Sequence, residues 1–280
     1  MIDFSIVIPA YNSLTLFSRA LESVRRQKGV TMQIIIVDDT DKNSDIEQYV
    51  SSLQAPAPAH ASQRENADSS PAILYRHNTP PLGAVPNWNS GLNQAEGSFV
   101  MLLHHDEELT ADDILLKAKQ QFETGCDAVV LNLQVHRADG DQYRLAPDSC
   151  KRLFIAYPSL LFVANIIGPT AVLIFRRACL CLLDPRTHWF VDVEWYYRML
   201  KDRSVRYIPD AIIASHHGHK GQITANIDPV EEAKKDARIL SDKYRSNKAV
   251  RFAMWLFIHV IHNNALLRRF RRTTPTANHK

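Results

Sequence analysis

Phe4 to Asp39 reads FSIVIPAYNSLTLFSRALESVRRQKGVTMQIIIVDD, and this stretch decides the fold. FSIVIP, residues 4–9, is apolar and β-branched apart from Ser5, the signature of a buried parallel strand. Leu14, Phe17, Leu21 and Val24 fall on one face of a helix over 14–27. QIIIV, residues 33–37, is a second buried strand. Strand, helix and strand at this spacing form a βαβ unit, which predicts an open, mostly parallel α/β sheet flanked by helices. Ligands of such sheets sit beyond the carboxyl ends of the strands. Two segments mark that edge here: Ala10-Tyr11-Asn12 and Asp38-Asp39.

Working outward, residues 54–71 (QAPAPAHASQRENADSSP) read as a surface loop insertion. Strands are expected over 73–76, 98–103, 128–135, 171–175 and 211–214. Helices are expected over 84–95, 111–123 and 190–201. Asp228-Pro229-Val230-Glu231 is a helix start: Asp228 can cap, Pro229 suits the first turn, and Glu231 completes a capping box. That helix should run to about Arg245, and a last one should cover about 248–270. The pattern divides into an α/β domain, 1–226, and a C-terminal helical extension, 227–280.

The chain has 280 residues, a net charge of +3 and four cysteines in no metal-type or CxxC spacing. The charge is too mild to point to nucleic acid. The cysteines, the absence of an apolar run long enough to span a bilayer and the absence of a leader-like start suggest a cytoplasmic protein. Neither GxGxxG nor GxxxxGK[ST] occurs, and glycine is scarce at 9 residues. Backbone amides alone therefore make a poor diphosphate cradle. A divalent cation, Mn²⁺ or Mg²⁺, held by carboxylates is the substitute, and Asp106-Glu107-Glu108 follow a buried strand directly.

Four segments in order resemble the family 2 glycosyltransferases, which have the GT-A fold. They are SIVIPAYN with its following helix; IIIVDDTDKNSD; GAVPNWNSGLNQAEGSFVMLLHHDEEL; and FVDVEWYYRML. The resemblance extends over residues 4–224. It implies an inverting transfer of a sugar from a nucleoside diphosphate to an acceptor hydroxyl, in assembly of a surface polysaccharide or lipid-linked glycan. Pro9, Ala10, Tyr11 and Asn12 would line the base and ribose pocket. Asp39 would accept a hydrogen bond from the base, with Asp38 positioning the loop. Asp106 matches the metal-binding acid of the DxD signature, and Glu107 would assist it. Asp192 matches the catalytic base, and His219 a histidine near metal and diphosphate. Asn89, His104 and His105 complete the expected nucleotide-sugar contacts. Two positions depart from the pattern. His104 replaces the first acid of the signature, and Val191 replaces the acid before the catalytic aspartate.

Each residue also has a plainer reading. Asp38-Asp39 can cap a turn, and Asp106-Glu107-Glu108 can be a solvated helix start. Glu194 suits a structural ion pair or a contact to the acceptor, and His216, His217 and His219 a polar loop. Asn165, Gly168 and Pro169 read as a turn near the acceptor cleft. The last helix carries Phe252, Trp255, Leu256 and His259 at helical spacing before four arginines. It can lie on an anionic membrane, pack on the catalytic domain or meet a second subunit. The competing functions are a nucleotide-sugar-binding protein without transfer activity and a nucleotidyltransferase. The latter wants a glycine-rich basic loop after the first strand, which PAYNSLTLF is not.

Overall fold

The computed structural model describes residues 1–41, 44–54, 71–137, 140, 142–218 and 228–261. Its first elements are β1 (Phe4–Ala10), α1 (Leu14–Arg25) and β2 (Met32–Asp38), the βαβ unit read from the sequence. Ser13 caps α1 by accepting from the Leu16 N–H. There follow α2 (Asp45–Gln54), β3 (Ala72–His77), α3 (Ala84–Leu92), β4 (Phe99–Leu102), β5 (Glu107–Leu109), α4 (Ile114–Glu123), β6 (Ala128–Arg137) and β7 (Gln142–Tyr143). The remainder is α5 (Asp148–Ala156), β8 (Leu173–Arg176), α6 (Val191–Leu200), β9 (Val205–His217), α7 (Pro229–Lys243) and α8 (Lys248–Leu256), which ends in a wider turn over Phe257–Ile261. The expected insertion, apart from its end residues, lies outside the described residues.

Among the described residues one sheet runs β3-β2-β1-β4-β8-β6-β9-β5, with β7 paired to β6. Its parallel character is concentrated at one end: β3, β2, β1 and β4 all run the same way. The strand β8 then enters antiparallel between β4 and β6. The parallel β6–β9 pair follows, and β5 closes that edge antiparallel to β9. The central strands read as unbroken apolar runs because helices cover both faces. Gly91 shows how closely one helix approaches. A Cβ there would stand 2.4 Å from Val7 Cγ1, so α3 can lie directly on β1 and β2 only with glycine at this place.

Several elements differ from the sequence reading in extent: α8 gives way at Leu256 to the wider turn, α3 stops at Leu92, and two strands differ for a visible reason. β9 spans thirteen residues rather than 211–214. Its register with β6 jumps from Leu131↔Ile208 to Asn132↔Ile212, a bulge that absorbs Pro209, and Asn132 Nδ2 donates to the Pro209 carbonyl at 2.8 Å. A proline has no N–H for a ladder, so it is placed where the ladder breaks. β8 begins at Leu173 because Thr170–Val172 form a 3₁₀ turn.

The helices after residue 227 share the core of the sheet. Phe162 meets Phe190, Tyr197 and Tyr244, and Phe190 meets Phe257. Burial of each such ring contributes on the order of 2 kcal/mol. The expected boundary at 226/227 falls among residues outside the description.

Candidate active site

The carboxyl ends of β1, β2 and β4 converge on one edge. Asp39 N–H donates to the Ala10 carbonyl at 3.0 Å and Leu103 N–H to Val7 at 2.9 Å. Pro9 and Ala10 are buried, whereas Tyr11 and Asn12 are exposed at the mouth. Asn12 holds φ 53°, a left-handed turn tolerated best by asparagine or glycine, and its N–H donates to Thr40 Oγ1 at 3.0 Å.

Both aspartates of this edge accept hydrogen bonds from the chain's own donors. Asp38 is fully buried and accepts from Thr40 N–H at 3.0 Å, Tyr75 O–H at 2.8 Å and the Ser44 hydroxyl. Asp39 accepts from Leu82 N–H at 2.7 Å, Gly83 N–H at 2.8 Å and Asn78 Nδ2 at 3.1 Å. Asn78 passes the network to Asn87, whose amide donates to the Val37 carbonyl at 3.0 Å. Asn89 uses both ends of its amide on the Leu183 backbone, at 2.9 Å each. These side chains fix the loop over 78–83 and the start of α3.

The second constellation lies on the turn from β4 to β5. His104, Asp106 and Glu107 each offer a ligand atom, all within 4.8 Å of one another, a set that can hold a metal ion. The turn is tight: His104 N–H donates to Glu107 Oε2 at 2.8 Å, and Glu107 N–H to the His104 carbonyl at 3.1 Å. Pairing of β5 with β9 buries Glu107 to 2% exposure. Burial, then the Asp106 charge, pushes its carboxyl well above the usual range, and the Asp192 carboxylate adds to the push. His104 stacks against Trp88 with centroids 4.5 Å apart, and its Nε2 lies 3.0 Å from Thr170 Oγ1. Burial holds the His104 pKa down to about 4, so the ring is neutral near pH 7 and keeps a lone pair for a ligand.

Asp192 stands in the first turn of α6. Its carboxylate is partly buried and accepts no hydrogen bond among the described residues, and burial raises its pKa to about 6. Its charge reaches Glu107 and also Tyr196, one turn further along α6. The acids at residues 107 and 192 are therefore within electrostatic reach of each other. Tyr196 ties α6 to the turn over Asn165–Pro169 by donating to the Pro169 carbonyl and, at 3.2 Å, to Gly168. Asn165 closes that turn on Gly168 through both ends of its amide, at 2.7 and 3.1 Å.

Glu194 makes the structural ion pair expected of it. It accepts from Arg198 and Tyr244 and pairs with Lys243 at 2.8 Å. Asp236 had given no functional signal. It accepts three consecutive N–H groups just before α6, from His188 at 3.0 Å and from Trp189 and Phe190 at 2.7 Å each. A carboxylate at a helix start favours the helix dipole and fixes the entry of the chain. The available clue was position: Ala233, Asp236 and Leu240 form the buried stripe of α7, and an acid in such a stripe needs buried partners.

Of the histidines, His216 joins a network beside the turn that carries His104, Asp106 and Glu107. Its Nε2 lies 2.9 Å from Glu108 Oε1, and Arg19 Nη1 lies 3.0 Å from its Nδ1. His216 N–H donates to the Asp106 carbonyl at 2.9 Å, so β9 anchors the turn from behind. His217 contacts Ser215 Oγ at 3.2 Å. His105 lies on the turn, partly buried. His219 lies outside the described residues.

An open α/β sheet thus carries, on the turn after β4, a His-Asp-Glu set that can hold a metal ion, with the Asp192 carboxylate within electrostatic reach. The chain belongs to glycosyl transferase family 2, whose model matches residues 5–183. It is similar to WcaA of Escherichia coli K12, assigned to colanic acid biosynthesis: 28% identity over 70% of this chain and 65% of WcaA. It is also similar to TuaG of Bacillus subtilis 168, assigned to teichuronic acid biosynthesis: 24% identity over 92% of this chain and 94% of TuaG. The chain thus spans under two thirds of the length of WcaA and nearly all of TuaG. The fold matches residues 1–349 of Staphylococcus aureus TarS in complex with UDP-GlcNAc, with a TM-score of 0.67 and 14% identity over 92% of this chain and 70% of that one. It also matches the Pyrobaculum calidifontis mannosyltransferase PcManGT in complex with GDP-Man and Mn²⁺, with a TM-score of 0.60 and 14% identity over 96% and 72%. The architecture is of the GT-A type.

Proposed function

We propose that this protein transfers a sugar, with inversion, from a nucleoside diphosphate to an acceptor hydroxyl during assembly of a surface polysaccharide. The carrying observation is the His104-Asp106-Glu107 set, which can hold a cation, with the Asp192 carboxylate near enough to add to the upward push on Glu107, where no lysine or arginine offsets it. The names of WcaA and TuaG support the polysaccharide assignment. The acceptor in this reading is a carbohydrate or lipid-linked glycan met at the inner face of a membrane.

The donor set fits a divalent cation. One imidazole and two carboxylates suit Mn²⁺ better than Mg²⁺, which prefers oxygen ligands. When bound, the cation neutralises charge on the departing diphosphate. Asp106 and Glu107 would hold it, with neutral His104 completing the set; His219 is a further ligand in this reading. Tyr11 and Asn12 would bound the nucleoside pocket. Asp38 and Asp39 act there by holding the surrounding loops, and Asn89 by fixing α3 to Leu183. Asp192 takes the proton of the acceptor hydroxyl as that oxygen attacks the anomeric carbon. A carboxylate with a pKa near 6 is ionised at neutral pH yet basic enough for this work. Asp236 holds the start of α6, the turn that carries Asp192, and so would orient Asp192 toward the acceptor.

The test is incubation with Mn²⁺ and a panel of UDP, GDP and dTDP sugars, following release of nucleoside diphosphate. Release with at least one donor, dependent on metal and lost in Asp192→Asn, is the expected result. A variant that binds donor and still turns over would remove Asp192 from the mechanism. Donor binding by the wild type without any release across donors and acceptors would favour a binding protein.

A further inference from the structure

Residues 243–280 carry nine of the chain's 33 Lys and Arg and none of its 30 Asp and Glu. Residues 1–242 therefore hold 24 basic residues against 30 acids. The mild overall charge conceals an acidic body and a wholly basic C-terminal segment. Such asymmetry suits an anionic surface as partner.

The described part of that segment has a matching shape. α8 buries Val250, Ala253 and Met254 against the body. Its opposite face leaves Phe252 61% and Trp255 49% exposed. The two rings stack, with centroids 5.9 Å apart and 20° between planes, and Trp255 continues to His259 at 5.4 Å. Lys248 and Arg251 are exposed on the same face. At about 100° per residue, positions 248, 251, 252, 255 and 259 fall within a single arc of about 100°. Single exposed apolar residues are ordinary, but a stacked aromatic stripe edged with cations is not. Phe and Trp settle at the boundary of headgroups and acyl chains, while Lys and Arg meet anionic headgroups. The two rings lie against each other and leave no slot between them for a nucleobase. The sequence beyond, ALLRRFRR at 265–272, continues the same mixture. Among the described residues no helix is long and apolar enough to cross a membrane, so the helix would lie on the surface.

We propose that the outward face of α8, formed by Lys248, Arg251, Phe252, Trp255 and His259, docks this protein on an anionic lipid bilayer. Docking does not depend on transfer activity, so each can fail without the other.

The test is co-sedimentation of the full chain with vesicles of phosphatidylcholine alone or with roughly one third phosphatidylglycerol. Binding to the anionic vesicles only, weakened by salt, is expected. The double variant Phe252→Ala/Trp255→Ala should bind at least about tenfold more weakly. Lys248→Glu/Arg251→Glu should lose the preference for anionic lipid. All these side chains are exposed, and unchanged melting temperatures without lipid would show that the fold is kept. Equal binding to neutral and anionic vesicles, or both variants binding like wild type, would overturn the proposal. So would tighter binding to an RNA oligonucleotide than to vesicles, or a lipid-free dimer abolished by Phe252→Ala/Trp255→Ala.

Discussion

Two pairs of acids in this molecule live in opposite surroundings. Asp38 and Asp39 each accept three hydrogen bonds from the chain itself. Glu107 and Asp192 are crowded by burial, Glu107 also by other acids, and both have raised pKa values. A carboxylate filled with N–H and O–H donors holds structure together. One left with excess negative charge destabilises the empty protein and favours a cation or a proton. In the proposed mechanism this difference separates the residues that hold the loops from those that do the chemistry.

The largest effect that can break this comparison is at Asp192. Asp192→Asn should reduce turnover by about a hundredfold to ten-thousandfold in a steady-state assay, with donor affinity retained. The same change should stabilise the fold. The folded pKa is raised from 3.8 to about 6, so the native state is favoured while Asp192 is protonated and loses that advantage as pH rises through 6. Removing the charge should raise the melting temperature at pH 8 and leave it unchanged below pH 4. Asp106→Ala comes next: metal-dependent donor affinity, read by calorimetry, should fall by about a hundredfold or more.

The structural acids should behave in the reverse sense. Asp39→Ala leaves the Leu82 and Gly83 N–H groups without their acceptor and should lower stability by about 1–3 kcal/mol in urea melts. Asp236→Ala should cost a similar amount and also lower kcat with little change in donor KM, because Asp192 then faces the cleft less often. Partial recovery in Asp236→Asn would mark a positioning role. The smallest expected effect is on pH. kcat/KM should fall about tenfold per unit below the Asp192 pKa, which a bound cation would bring to 6 or lower.

How much of this was legible in the sequence depends on how local each signal is. The βαβ start was plain because FSIVIP and QIIIV are unbroken apolar runs around a periodic helix. The turn carrying Asp106 was plain because it follows such a run directly. β9 was read as only 211–214 because Pro209 interrupts its pattern, and the bulge that accommodates it depends on β6. Glu107 read as an acid assisting Asp106 or as part of a solvated helix start, and its burial was not legible because only the distant pairing of β5 with β9 produces it. Asp39 read as an acceptor for the base or as a turn cap, and no local pattern announces that the N–H groups of residues 82 and 83 reach it. Asp236 lies 44 residues beyond Asp192, and its hold on α6 depends on how α7 packs.

The contrast between the two acid pairs is tested most directly by thermal melting at pH 8 with and without Mn²⁺, on wild type, Asp39→Asn and Asp106→Asn/Glu107→Gln. A metal-dependent rise in wild type and Asp39→Asn, absent from the double variant, is the expected result. A rise of equal size in all three proteins, or none in wild type, would contradict it.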